Sequence, residues 1–151
     1  MKRFFDLVMA MIILFMFAIP MLLIAIIIRL SSKGPALYWS DRIGKRNVTF
    51  KMPKFRSMRI DTPVVATDLM IDHSKYISPF GSFLRLTSLD EMPQLFSVLK
   101  GDMSFVGPRP ALYNQDDLIS LRATQGIDNL LPGITGWAQV NGRDNLLLQE
   151  K

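Results

Sequence analysis

LVMAMIILFMFAIPMLLIAIII, from Leu7 to Ile28, runs for 22 residues without a charged side chain and carries one proline, Pro20, in its second half. At about 1.5 Å per residue this just meets the roughly 20 residues needed to cross the hydrocarbon core of a bilayer. It is longer than the apolar core of a secretory signal, and no small-x-small cleavage site follows it. Lys2 and Arg3 precede the run and Arg29 and Lys33 follow it, so the positive-inside rule assigns both flanks to the cytoplasmic side. A single crossing cannot satisfy that, whereas a hairpin that enters and leaves through one leaflet can. Pro20 supplies the turning point, because its ring removes a backbone donor and clashes with the carbonyl of Met16. The sequence therefore predicts, over residues 1–30, a reentrant membrane helix-hairpin broken at Pro20, with a kinked single-pass anchor as the alternative, since spanning helices tolerate proline.

The remaining 121 residues, 31–151, contain no Ser-, Gly- or Pro-rich linker and no repeat, which predicts one compact domain on that anchor. Gly44 to Asn47 are turn residues, and Val48, Phe50 and Met52 alternate after them, so a short β-hairpin with Tyr38 to Ser40 is expected. The fold class read from this pattern is α+β: a small, mainly helical cytoplasmic domain with a short β-hairpin. From Arg42 to Arg59 there are seven basic residues and no acidic one, next to Tyr38 and Trp39. That combination suits an anionic lipid surface. No recognition helix, zinc spacing or aromatic RNA-binding word accompanies it, so nucleic acid is not expected as a partner. The chain has no Cys, which excludes thiol nucleophiles and thiol metal sites, and His73 stands alone. A net charge of +5 fits anionic partners.

Chemistry concentrates in LRLTSLDEMPQLFSVLKGDMSFVGPRP, Leu84 to Pro110. Ser88 reads as an N-cap with Glu91 in capping-box position, and Leu89, Met92, Leu95, Phe96 and Leu99 recur at helical spacing until Lys100 and Gly101 stop the run. Asp90 and Glu91 are thereby expected in the first turn of a short helix, where N–H groups favour ionised carboxylates and phosphate oxygens. Arg85 precedes the pair by five residues. Arg109 stands between two prolines in Gly107-Pro108-Arg109-Pro110, a restricted turn that suits a preorganised phosphate fork.

Three words, KFRSM (Lys54 to Met58), the Leu84 to Pro110 stretch and PGITGWAQVNGR (Pro132 to Arg143), closely resemble those of the bacterial sugar transferases, the small monotopic phosphoglycosyl transferases. They stand in that family's order behind an apolar N-terminus. The resemblance implies an enzyme at the cytoplasmic face of the bacterial inner membrane. It would move a sugar-1-phosphate from a UDP-sugar to polyprenyl (undecaprenyl) phosphate and release UMP, the first membrane step of capsule, O-antigen or related glycan synthesis. It further implies a covalent phosphosugar on Asp90 as nucleophile, with Mg²⁺ held by Glu91 and Asp90. Lys54, Arg85 and Arg109 match phosphate-binding positions, with Arg56 and Arg143 as weaker candidates. Mg²⁺ asks for little more, since it binds through one or two carboxylates plus substrate phosphates.

Two departures accompany the match. Ile19 stands where the family more often has a Ser before the proline, and the chain stops some tens of residues short of usual family members, which reads as C-terminal truncation. Ile60 to Met70 and Pro110 to Gln115 are similar to members that transfer N-acetylfucosamine phosphate, a hint toward UDP-N-acetylfucosamine or another N-acetylated UDP-sugar. The competing reading is a non-enzymatic membrane-anchored scaffold, or an inactive truncated relic, that binds anionic lipid.

Overall fold

A computed structural model describes residues 1–60, 62 and 76–141 of the chain. The apolar run forms α1 (Lys2–Ser31), a single helix of 30 residues that is long and apolar enough to cross a membrane. Pro20 lies inside it, so the expected break is corrected: the helical run continues from Met16 through Pro20 to Ser31. A proline deletes only one donor of the ladder, and long apolar helices tolerate that loss.

Both halves of α1 pack on the same domain. Ala10, with Ile13 and Leu14 beside it, joins a core of Phe50, Met52, Leu95, Val98 and Met103. Ile24 and Ile28, with Met21 and Ala25, join a second core around Phe55 and Leu84. Between them the six residues Phe15 to Pro20 are exposed on every side, Phe15 at 87% and Ile19 at 71%. Six consecutive residues cover more than one turn at about 3.6 residues each, so the middle of α1 stands clear of the domain that holds its two ends.

Polar ties fix those ends. Lys2 Nζ donates to the carbonyl of Val106 at 2.8 Å, and Arg3 donates to the carbonyls of Val98 and Leu99, the second at 2.9 Å. Arg3 thus serves as a cation at the C-terminal end of α3 (Gln94–Lys100), where exposed carbonyls favour positive charge. Asp6 is buried; its carboxylate accepts from Ser104 Oγ at 2.8 Å and from the Phe105 N–H at 3.3 Å. At the other end Arg29 donates to the Gly34 carbonyl, and Arg56 donates to the carbonyl and hydroxyl of Ser32. Apolar packing of α1 contributes little wherever the alternative is lipid, so these ties set its register on the domain.

The hairpin forms as expected and is longer: β1 (Leu37–Ile43) pairs antiparallel with β2 (Thr49–Phe55), Tyr38 opposite Lys54. Pro53 is tolerated because β2 is an edge strand. β4 (Ala111–Leu112) joins the other side of β1, giving the order β2-β1-β4. A second, parallel pair links β3 (Ser104–Val106) to β5 (Gly133–Thr135). The hairpin thus sits in a domain whose described residues also hold α2 (Pro79–Leu86), α3, α4 (Asp116–Thr124) and α5 (Trp137–Val140), and the short strands β3, β4 and β5 are an addition to the sequence reading. Strands of two or three residues are too short to show periodicity, and β3 finds its partner 29 positions away in register.

With both ends of α1 tied to one domain, single cysteines placed at Lys2 and at Lys33 of this Cys-free chain should both label from the same side of a sealed vesicle. Labelling from opposite sides would show that the helix crosses.

Candidate active site

Asp90 and Glu91 do not stand in the first turn of α3. They form, with Leu89, a separate 3₁₀ turn between α2 and α3. Ser88 adopts a left-handed conformation (φ 57°) and its side chain caps nothing, so the expected capping box is absent. Pro93 explains the change, because it offers no N–H to the carbonyl of Leu89 and α3 can begin only after it. The turn is held instead by shorter bonds, Glu91 N–H to Ser88 O and Met92 N–H to Leu89 O. The far end follows the sequence reading: Gly101, at φ 101°, terminates α3 with its N–H on the carbonyl of Ser97.

Lys54 reaches this turn from the end of β2. Its Nζ lies 3.0 Å from Glu91 Oε1, with both side chains largely shielded, 19% and 22% exposed. Burial pushes the Lys54 pKa down; Glu91 opposes that shift, while the nearby Arg42 and Arg109 reinforce it. Burial pushes Asp90 up. The positive charge of Lys54 counters it, the carboxylate of Glu91 adds to it, and Arg85 on α2 lowers it again. The expected Asp90, Glu91, Lys54 and Arg85 are thus electrostatically coupled, and two carboxylates in adjacent positions have been given different partners.

Arg109 joins them across a cleft lined by Arg42, Lys54, Glu91, Gln94, Arg109, Gly133 and Gln139. Its turn follows β3 and is seated against β5 by backbone bonds: Gly107 N–H to Thr135 O at 3.0 Å and Gly133 N–H to Pro108 O at 2.9 Å. A Cβ on Gly133 would lie 2.2 Å from the Gly107 nitrogen, and one on Gly136 2.1 Å from the Gly107 oxygen. Gly133 and Gly136 therefore serve close backbone approach, which is what joins the GPRP and PGITG words.

Arg56 is not in this cleft. It is buried toward the end of α1 on Ser32, so it braces the anchor. Arg143 lies outside the described residues, as do His73 and most of Ile60 to Met70. Sequence reasoning missed Arg42, Gln94 and Gln139, although Gln94 and Gln139 sit inside the quoted words. Gln94 is buried, and the Gln139 amide oxygen is buried without a hydrogen-bond partner.

Among the described residues no three His, Cys, Asp or Glu side chains gather as a metal site. Glu91 nevertheless faces the cationic cleft beside Asp90, and that donor set fits Mg²⁺, which keeps its waters and takes its other ligands from substrate phosphates.

The whole chain, residues 1–151, matches the family described as bacterial sugar transferase. It is 38% identical to UDP-glucose:undecaprenyl-phosphate glucose-1-phosphate transferase of Escherichia coli K12, over 93% of this chain and 31% of that protein. It is 35% identical to galactosyl transferase CpsE of Streptococcus agalactiae, over 96% and 34%. To the UDP-N-acetylgalactosamine-undecaprenyl-phosphate N-acetylgalactosaminephosphotransferase of Aeromonas hydrophila it is 37% identical, over 92% and 33%. The chain spans about a third of the length of these relatives. With its sequence matched from end to end, this chain belongs to the bacterial sugar transferase family.

Proposed function

We propose that this chain transfers a sugar-1-phosphate from a UDP-sugar to polyprenyl phosphate at the cytoplasmic face of the bacterial inner membrane. The observation that carries the reading is a cleft lined by Glu91, Lys54 and Arg109, with Asp90 next to Glu91 in the same turn and electrostatically coupled to Lys54, in a domain clasped to an apolar helix. The names of the relatives, which act on undecaprenyl phosphate with glucose or N-acetylgalactosamine donors, support the same reaction class.

In the first step an Asp90 carboxylate oxygen attacks the phosphorus that bears the sugar. The bond from that phosphorus to the UMP oxygen breaks and UMP leaves with the electron pair, so that a phosphosugar remains on Asp90. In the second, an oxygen of polyprenyl phosphate attacks the same phosphorus and the Asp90 carboxylate departs, regenerated. Lys54 and Arg109 offset charge on the diphosphate as the bond to UMP lengthens. Mg²⁺ held through Glu91 would supply further neutralisation of those oxygens. Burial of Asp90 withholds water that would solvate, and so weaken, the nucleophile. On this reading both tied ends of α1 stay on the side of the catalytic domain. The exposed middle of α1, Phe15 to Pro20, lies in lipid and the cleft sits where a lipid-borne phosphate meets a soluble nucleotide.

The direct test incubates purified protein with a panel of UDP-sugars, N-acetylfucosamine and other N-acetylated sugars included, with and without polyprenyl phosphate and Mg²⁺. UMP release that needs the acceptor for sustained turnover is expected; no release with any donor, from this chain or from a version extended at its C-terminus, would contradict the proposal. The pH dependence follows from the shifts at the site. A raised Asp90 pKa favours the protonated form in the folded protein. Its stabilising contribution is present below the ordinary Asp pKa and lost as pH rises through the raised one, while the nucleophile is available only above it. UMP release should therefore rise with pH along an acid limb displaced upward from the ordinary Asp value. Lys54→Met, which removes a charge that lowers Asp90, should move that limb to higher pH, and Glu91→Gln should move it to lower pH. Limbs that stay put, or that move the other way, would contradict the electrostatic account.

A further inference from the structure

Pro108 and Pro110 have no backbone N–H, so the turn that carries Arg109 can be gripped mainly by its carbonyls. Three successive carbonyls are gripped, each from a different element. The Gly133 N–H of β5 donates to Pro108 O at 2.9 Å, Arg122 Nη1 of α4 donates to Arg109 O at 2.7 Å, and Arg42 Nη1 of β1 donates to Pro110 O at 3.1 Å. The middle donor is the informative one. Arg122 is 8% exposed, and its buried guanidinium carries the hydrogen bond from α4 to the turn. Its planar, rigid fork fixes an angle as well as a distance. Arg122 also stands on the far side of the turn from the cleft, lining a separate cavity with Pro108, Ala111 and Ile119, whereas Arg42 lines the cleft itself.

We infer that Arg122 is a positioning residue for the transfer reaction: by holding the carbonyl of Arg109 it aims the Arg109 guanidinium at the phosphate site beside Lys54, without touching substrate. The prolines on either side restrict the backbone of the turn, and the peptide plane after Arg109 is the remaining freedom that decides where its side chain starts. Arg122 removes that freedom. This rests on the reading that Arg109 binds the diphosphate of the donor.

The test is calorimetric binding of UDP to the full chain in detergent, comparing wild type with Arg109→Ala, Arg122→Met, the double variant and Arg122→Lys. Thermal unfolding is recorded for each to confirm equal folded fractions. Arg122→Met should weaken UDP binding about tenfold, the scale of one hydrogen bond to a charged group. Arg109→Ala should weaken it at least as much, the double variant no more than Arg109→Ala alone, and Arg122→Lys should recover affinity to within about threefold of wild type by restoring a donor. A merely structural Arg122 would weaken binding further on the Arg109→Ala background. That result, or wild-type affinity in Arg122→Met, would overturn the inference. Should Arg122→Met fail to fold, Arg122→Gln, whose shorter arm takes its amide out of reach of the Arg109 carbonyl, carries the same comparison. Wild-type affinity in Arg109→Ala would overturn the assignment of Arg109 and this inference together. A wild type that binds UDP with the expected variant pattern but transfers no sugar phosphate would support the inference and contradict only the proposed reaction.

Discussion

Both ends of α1 hydrogen-bond to one small domain, and the placement of everything else depends on that constraint. Asp6, buried in an otherwise apolar helix, accepts from Ser104 and Phe105 of β3. β3 in turn leads directly into the Gly107 to Pro110 turn and the Arg109 it carries. Arg3 closes the C-terminal end of α3, the helix that follows the Asp90 and Glu91 turn. At the other end Arg56 ties Ser32 to the exit of β2, two residues past Lys54. The anchor therefore holds the elements on which the cleft is built, and anchor and cleft are one mechanical unit. Loss of Asp6 would leave the Ser104 hydroxyl without its carboxylate in a fully buried position, a cost of about 1–3 kcal/mol for an unsatisfied group.

The cleft uses that rigidity to separate two carboxylates that are neighbours in sequence. Glu91 is paired with Lys54, whereas Asp90 is shielded and carries a raised pKa that Lys54 and Arg85 partly counter. Adjacent acidic groups with different environments are how one site assigns one to charge balance and the other to chemistry. The 3₁₀ turn makes this geometry possible. Had the helix run unbroken from Ser88, as its capping pattern suggested, the first-turn N–H groups would have favoured ionisation of both carboxylates.

The sequence made the long apolar helix legible through its composition, the hairpin through its alternation and turn residues, and the glycine stop at Gly101 through backbone conformation. Glu91, Lys54 and Arg109 of the cleft, and the coupled Asp90 and Arg85 beside it, were legible because the words that hold them are long and specific. What was not legible depends on contacts between distant parts of the chain. Ser88 looks like a cap until Pro93 is seen to deny the helix its first bond. Lys2 and Arg3 read as topology signals because nothing local says that they reach carbonyls of Val106, Val98 and Leu99. Arg122 carries no motif at all, and its bond to the Arg109 carbonyl depends on the approach of α4 to that turn. The parallel pairing of β3 with β5 was hidden for the same reason, its only trace being glycines whose missing Cβ atoms let two backbones meet.

The central claim is that the shielded carboxylate at position 90 is the nucleophile, and intact-mass analysis of the protein tests it most directly. After incubation with Mg²⁺ and the UDP-sugar that supports turnover, but without polyprenyl phosphate, the wild-type chain should gain the mass of one phosphosugar. The adduct should disappear when the acceptor is added, and Asp90→Asn should show none. Turnover with no adduct under any of these conditions, or an adduct that persists in Asp90→Asn, would contradict the account.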